Sequence, residues 1–345
     1  MADIDSMRTS RGLTYTNWQV FDMKNLIGQQ SRVAPKYYLM LIFVVLFWGI
    51  DPIINAYFYK YYSAAVFSAI LTFFAFAFFL ILSIKKLKLL NRDYLKIAVP
   101  ICVLNAIACL LQRIGLQYTS PAHYAFLDHL TCVSVPIMMF LYLKKKPQWS
   151  EVTSCALCLV GCFILTGMSF SGFSFNIGDI LCGSAGFIFG ICSASIAVFA
   201  KKLDITLYMM IHTAAYFLVS LILAISLNFI TVNGAPMEAA KFTSNPLLIA
   251  VVAVFGLVDI AICWLCRTEA VKHVGPTTVT IVMPLCAVIT GVVSVIFGMD
   301  SINPNLLIGG AIVLVALLLP TLSEAITNRA NKHKSFVNHD SSPEQ

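Results

Sequence analysis

The chain has 345 residues, 59% of them hydrophobic and 11% charged, with a mean hydropathy of +0.85. A soluble domain carries about 25% charged residues, so composition excludes a water-soluble globular fold and indicates an integral membrane protein. The net charge of +7 does not point to nucleic acid, because the basic residues lie in short clusters between apolar runs, as membrane topology requires.

Residues 1–36 are polar, with five basic and three acidic side chains and no apolar run. A secretory signal peptide would show an apolar core soon after its basic residues, so this segment reads as a disordered tail. The segment 327–345 reads the same way. Between them, ten runs reach the ~20 apolar residues that a spanning helix needs. They are 37–59, 63–84, 96–117, 121–143, 150–168, 177–200, 205–230, 246–266, 275–297 and 304–323. Breaker and charge signals separate them, such as "KKLKLLNRD", "KKKPQ" and "GMDSINP".

Lysine and arginine then set the orientation. With the amino terminus in the cytosol, 20 fall in cytosolic segments, Arg267 and Lys272 included, against three outside, Lys60, Arg113 and Lys241. That asymmetry is the positive-inside signature and places both termini in the cytosol. All eleven cysteines lie within the apolar runs. The pairs Cys155/Cys158 and Cys263/Cys266 have no second pair or histidine at zinc-like spacing, so they read as small hydrophobes and no metal or cofactor is implied.

An internal echo ties two parts of the chain together. "RIGLQYTSPAHYAFL" from Arg113 parallels "RTEAVKHVGPTTVTIV" from Arg267, each leading into a run that contains a proline, Pro136 or Pro284. The echo links runs three and four to runs eight and nine, so the repeat unit is five helices. Five is odd, so the halves, 37–168 and 177–323, lie upside down relative to each other. The expected fold class is therefore all-α integral membrane, with ten transmembrane helices as two inverted five-helix repeats.

With "FWG" in the first run, "LQYTSPAHYAFL" entering the fourth, "AVKHVGPTTVTIVMP" entering the ninth and "IFGMDSINPNLLIGGAIVL" leading into the tenth, the chain resembles the drug/metabolite transporter superfamily, and within it the EamA-type carriers. The resemblance covers roughly residues 37 to 322. It departs where Lys144-Lys145-Lys146 and Met299-Asp300 replace the usual Gly-Glu pairs, and where Ile50-Asp51 follows "WG" in place of the usual Ser or Asn. What the resemblance implies is a secondary carrier of small organic solutes working by alternating access. Its default substrates would be amino acids or related metabolites, exported across a cytoplasmic membrane.

Charged residues at membrane depth face a cavity or a partner. Here they are Asp51, Asp128, His129, His212 and Asp259, with His123 nearer an end. At 1.5 Å per residue, Asp51 and the Asp128–His129 pair both lie about 10 Å below the outer face, while Asp259 falls near the midplane. Each acid could instead satisfy a local group and fix helix packing; three acids in different helices favour a shared polar site. On the first helix Asp51 shares a face with Phe47, Trp48 and Asn55, an acid-and-aromatic surface that suits a cation if it does not simply face lipid. Tyr208, His212 and Tyr216 form an i, i+4, i+8 stripe that serves binding or packing equally well. Asn105 and Gln112 share a face of the third helix and could bond a ligand or helix four. Pro52, Pro136 and Pro284 free the carbonyls of Trp48, Cys132 and Thr280, which is tolerated at depth only against protein or a wet cavity.

The partners implied are a small-molecule solute, a proton exchanged at Asp51 or the Asp128–His129 pair, and the lipid bilayer, with no nucleic acid and no oligomeric state specified. The rival within the class is an organic cation or amine carrier. A nucleotide-sugar or phosphate-ester antiporter ranks lower, because no Lys or Arg is expected away from the helix ends. An integral-membrane enzyme or a channel is the rival outside the class, but neither a catalytic cluster nor a repeated filter-like segment is visible.

Overall fold

The computed structural model describes residues 34–119, 121–144, 146–165, 176–226, 229, 231–232, 235–236, 241–297 and 304–319. The tail 327–345, nearly all of the tail 1–36, and the side chain of His123 lie outside them.

Apolar sequence in a medium without water must satisfy its backbone internally, and the described chain does so almost entirely as helix. The first helix, α1, spans Pro35–Phe58, and α2 spans Ala64–Ser83 before tightening into a 3-10 stretch at Ile84–Leu89. Helix α3, Arg92–Gly115, starts at Asn91, whose side chain accepts from the Tyr94 amide. The next run is split into α4, Pro121–Asp128, and α5, Thr131–Leu143; α6 follows at Trp149–Leu165. Helix α7, Ile177–Phe199, opens with a reciprocal cap between Asn176 and Asp179, and α8 is Ile205–Ser226. Then α9, Pro246–Gly256, passes through a π-helical turn at Leu257–Cys263 into α10, Trp264–His273. A second split run gives α11, Pro276–Val282, and α12, Leu285–Ile296, and α13 is Pro304–Leu319. The one strand pairing among the described residues joins Thr231–Val232 to Ala235–Pro236.

Among the described residues, eight helical stretches are long and apolar enough to cross a membrane; the runs expected at 150–168 and 304–323 hold the shorter apolar helices α6 and α13. Outward faces carry large exposed hydrophobics such as Ile81, Ile222 and Val254, each more than half exposed. A soluble protein of this size would not leave so much apolar surface to water.

The two halves of the chain interleave. Helix α2 packs on α8 and α9, α3 lies against α7 and α8, and α5 lies against α7. Glycines permit the closest approach: a Cβ on Gly186 would collide with the carbonyl oxygens of Leu127 and Asp128, and one on Gly190 with Ser134. The small-residue pattern on α7 thus seats it against the broken end of α4.

The echoed segments behave alike. Both α4 and α11 begin at a proline, Pro121 and Pro276, and both break after one or two turns before the chain resumes as α5 and α12. The second break falls at Pro284, where the Cys132 thiol meets the Thr280 carbonyl at 3.8 Å. The first falls at His129–Leu130 rather than at Pro136, which sits inside α5. The helix expected to end at 266 continues to His273, so Arg267 and Lys272 belong to a buried helix rather than a connecting loop.

At one end of the bundle Lys86 Nζ lies 2.8 Å from Asp204, and the Tyr94 hydroxyl donates to the Asp204 carbonyl at 2.8 Å. Asp204 also accepts from the amides of Thr206 and Leu207 at 3.0 and 3.1 Å, capping α8. Burial pushes its carboxyl up, but Lys86 and the two amides outweigh that and hold it below the usual carboxylate range. A carboxyl depressed in the folded state contributes stability above its unfolded pKa and loses it as pH falls through the folded one. Asp204→Ala is therefore expected to cost about 1–2 kcal/mol at neutral pH. Thermal unfolding in detergent should show the gap to wild type closing as the medium is acidified below about pH 4.

Candidate functional site

Side chains from both halves of the chain enclose a cavity of about 110 Å³. At 10–15 Å³ per water-sized occupant, that is room for on the order of eight waters or one compact solute. Trp48, Asp51 and Pro52 reach it from α1, Gln112 and Arg113 from α3, and Asp128 and His129 from the α4–α5 break. From the second half come Tyr216, Asp259, Trp264 and Arg267, together with Thr280 and Thr290.

Asp259 stands in the π-helical turn and is 2% exposed. Its two carboxylate oxygens are both used: Oδ1 accepts from Trp48 Nε1 at 2.8 Å, and Oδ2 from Arg113 Nη2 at 2.7 Å. Arg113 Nη1 donates to Asn55 at 2.9 Å and its Nε to the Tyr216 hydroxyl at 3.0 Å. Asn55 in turn donates to Asp51 Oδ2 at 2.6 Å. One guanidinium thus connects α1, α3, α8 and the π-helical turn through three separate hydrogen bonds, a use to which arginine's several fixed donors are suited. Asp51 Oδ1 is buried with no hydrogen-bond partner. Across the cavity Asp128 accepts from Gln112 at 2.6 Å, and His129 Nδ1 is buried without a partner.

Arg267 lies in α10 and is 6% exposed. Its Nη2 donates to Ser193 at 2.7 Å and its guanidinium lies over the Trp264 ring at 5.2 Å, while Nη1 has no partner. Among the described residues its side chain forms no ion pair with a carboxylate.

The structure thus brings Trp48, Asp51, Asp128, His129 and Asp259 to one cavity, with Asn55 one hydrogen bond behind. Asn105, Tyr208 and His212 are buried but do not line it. The His212 ring lies 5.1 Å from that of Trp264, tilted by 43°, and faces the Asn105 amide at 3.5 Å, so His212 and Asn105 back the Trp264 side of the cavity wall. The aromatic face of α1 is partly committed, since Trp48 is anchored to Asp259 and tilts 5.2 Å from Trp264.

Two cavity residues went unrecognised in the sequence. Arg113 was counted at the outer end of the run 96–117 and Arg267 in a cytosolic connection, and both are buried in the site. Arg113 does stand in the last turn of α3, but the expectation of a cavity without basic residues is corrected, since both arginines line it. The signal was present: each arginine opens its copy of the echoed segment, eight and nine residues before the helix-starting proline. Among the described residues no group of three or more His, Cys, Asp or Glu is placed to hold a metal, and all eleven cysteines are free thiols.

A lipid-facing helical bundle around a charged interior cavity defines an integral membrane protein with room for a solute. The EamA-like transporter family matches residues 35–167 and again residues 176–322, and the chain belongs to that family of membrane transporters. It is 23% identical over 211 residues to an uncharacterized transporter of Archaeoglobus fulgidus, covering 61% of this chain and 64% of that protein. A solved crystal structure superposes with a TM-score of 0.65 at 15% identity, over 83% of this chain and 96% of the other, and shows the fold alone.

Removing one partner of a buried ion pair leaves the other charge uncompensated, at a cost of about 3–5 kcal/mol. Arg113→Met and Asp259→Leu should each destabilise by that order, read as thermal unfolding in detergent. The double variant should lose markedly less than the sum. Additive losses would show that the two side chains do not depend on each other.

Proposed function

We propose that the chain is an alternating-access carrier of a small organic solute, its ten helices arranged as two inverted five-helix repeats. The observation that carries this reading is the cavity itself: it is enclosed by residues of both family-matched segments and holds acids, a histidine and arginines at membrane depth. Two segments matching one family in tandem, and two helices that start at proline and break alike, support the internal duplication. The compact volume favours an amino acid or related metabolite over a nucleotide sugar. A purely cationic solute fits less well, since Arg113 and Arg267 share the cavity with the acids.

Export from the cytosol follows the family default, and the orientation follows from the basic residues. With Arg113, Arg267 and Lys272 recognised as buried, the tally becomes 18 in the proposed cytosolic segments against two outside. Proton coupling is assigned to Asp51 and the Asp128–His129 pair. Carboxylates sharing a poorly hydrated cavity resist being charged together, so a proton taken or released there accompanies solute movement.

Purified protein in sealed vesicles should move solute saturably and respond to an imposed pH gradient. Asp128→Asn should convert that flux into gradient-independent exchange, and Asp51→Asn should abolish it with folded yield near normal. Flux unchanged on collapsing the gradient would replace coupled transport by uniport or solute exchange. For orientation, a cysteine at Lys146 on a cysteine-reduced background should react with impermeant maleimide only from the cytosolic side. Labelling from outside would overturn the ten-span arrangement.

A further inference from the structure

The two arginines of the cavity are not equivalent. Arg113 has a full set of partners and an internal counter-ion, Asp259, at 2.7 Å. Arg267, equally buried, bonds a neutral hydroxyl on Ser193 and lies over an indole ring, and its Nη1 bonds nothing. The echoed sequence shows why. Asp259 stands eight residues before Arg267; the residue eight before Arg113 is Asn105, a neutral amide. The position that gives Arg113 its bonded acid is thus neutral in the first half, and Arg267 has only the charge of Asp128 nearby, with no direct bond to it. A buried guanidinium nitrogen that bonds nothing is costly, and the deficit is removed when an anionic acceptor enters the cavity and bonds it.

We infer that Arg267 is the anchor for a carboxylate group of the transported solute, with Ser193 and Trp264 positioning its guanidinium. This rests on the carrier reading and assigns the chemistry of its site. A planar fork fits a carboxylate. The remainder of the cavity restricts the rest of the solute: Asp51 and Asp128 line the same space and repel a second negative charge. The solute is therefore singly anionic at the Arg267 end and neutral or cationic elsewhere. The unpartnered Asp51 Oδ1 offers an acceptor for an ammonium group there.

The test is equilibrium binding to the purified full-length protein by calorimetry. The probes are L-alanine, L-threonine, L-phenylalanine, lactate and succinate, with the carboxamide of each amino acid as its uncharged control. At least one monocarboxylate should bind, its carboxamide should bind about 10- to 100-fold more weakly, and succinate should bind more weakly than the monocarboxylates. Arg267→Gln should bring the carboxylate down to its carboxamide while leaving the carboxamide unchanged, and Arg267→Lys should fall between. A structural role alone would lower both probes together.

The anchor is overturned if no carboxylate probe binds, if carboxamides bind as well as acids, or if Arg267→Gln keeps the discrimination. A second measurement needs no variant. Phenylglyoxal should modify Arg267 and spare Arg113, and the bound carboxylate should protect Arg267; modification unaffected by the ligand overturns the proposal. Discrimination lost in Arg267→Gln, with no probe crossing a vesicle membrane, would refute the carrier reading and leave the anchor standing.

Discussion

The buried pair between Arg113 and Asp259 is the interaction around which this bundle is organised. Neither charge could sit at membrane depth alone, and together they satisfy each other only because three further groups complete the set, Trp48 on the acid and Asn55 and Tyr216 on the base. Those partners lie on α1, α3, α8 and the π-helical turn, so holding one ion pair fixes how elements from both halves meet. The π turn belongs to the same constraint: the extra residue in the helix at Leu257–Cys263 accompanies the placing of Asp259 against the fork.

A closed ion pair and an open cavity serve opposite ends in a transporter. The pair holds the halves in one arrangement, and the cavity beside it keeps polar atoms short of partners: Asp51 Oδ1, His129 Nδ1 and Arg267 Nη1. In a packed interior such atoms would be a defect. Under the proposed carrier reading they are where a solute or proton is received, because interactions completed only on binding bias one conformation over another.

Helix discontinuities act in the same direction. The break after Val282, ahead of Pro284, frees backbone carbonyls, and the structure directs thiols from neighbouring helices to them, Cys132 to Thr280 and Cys158 to Ile281. Cysteines that looked like small hydrophobes therefore also serve as weak donors where prolines interrupt the backbone. Chain breaks are tolerated here because protein, not lipid, surrounds them.

Hydropathy, breakers and the echo were local signals, and they carried the membrane class, the helical runs, the family resemblance and the presence of acids at depth. Asp51, Asp128 and Asp259 were legible because an acid in an apolar run is costly wherever it points. Arg113 and Arg267 were not legible as cavity residues, because arginines near the ends of apolar runs read as interfacial; for Arg267 the helix also continues past its expected end, to His273. Which residues face one another is a matter of pairing between positions 146 residues apart, as in Arg113 and Asp259, and no local period encodes it. Tertiary packing alone decided that Tyr208, His212 and Asn105 do not line the cavity, that Trp48 is tied to Asp259, and that one arginine bonds a carboxylate directly while its echo bonds a hydroxyl. The cost of burying a charge can be read along the chain, but what offsets it is found only across the fold.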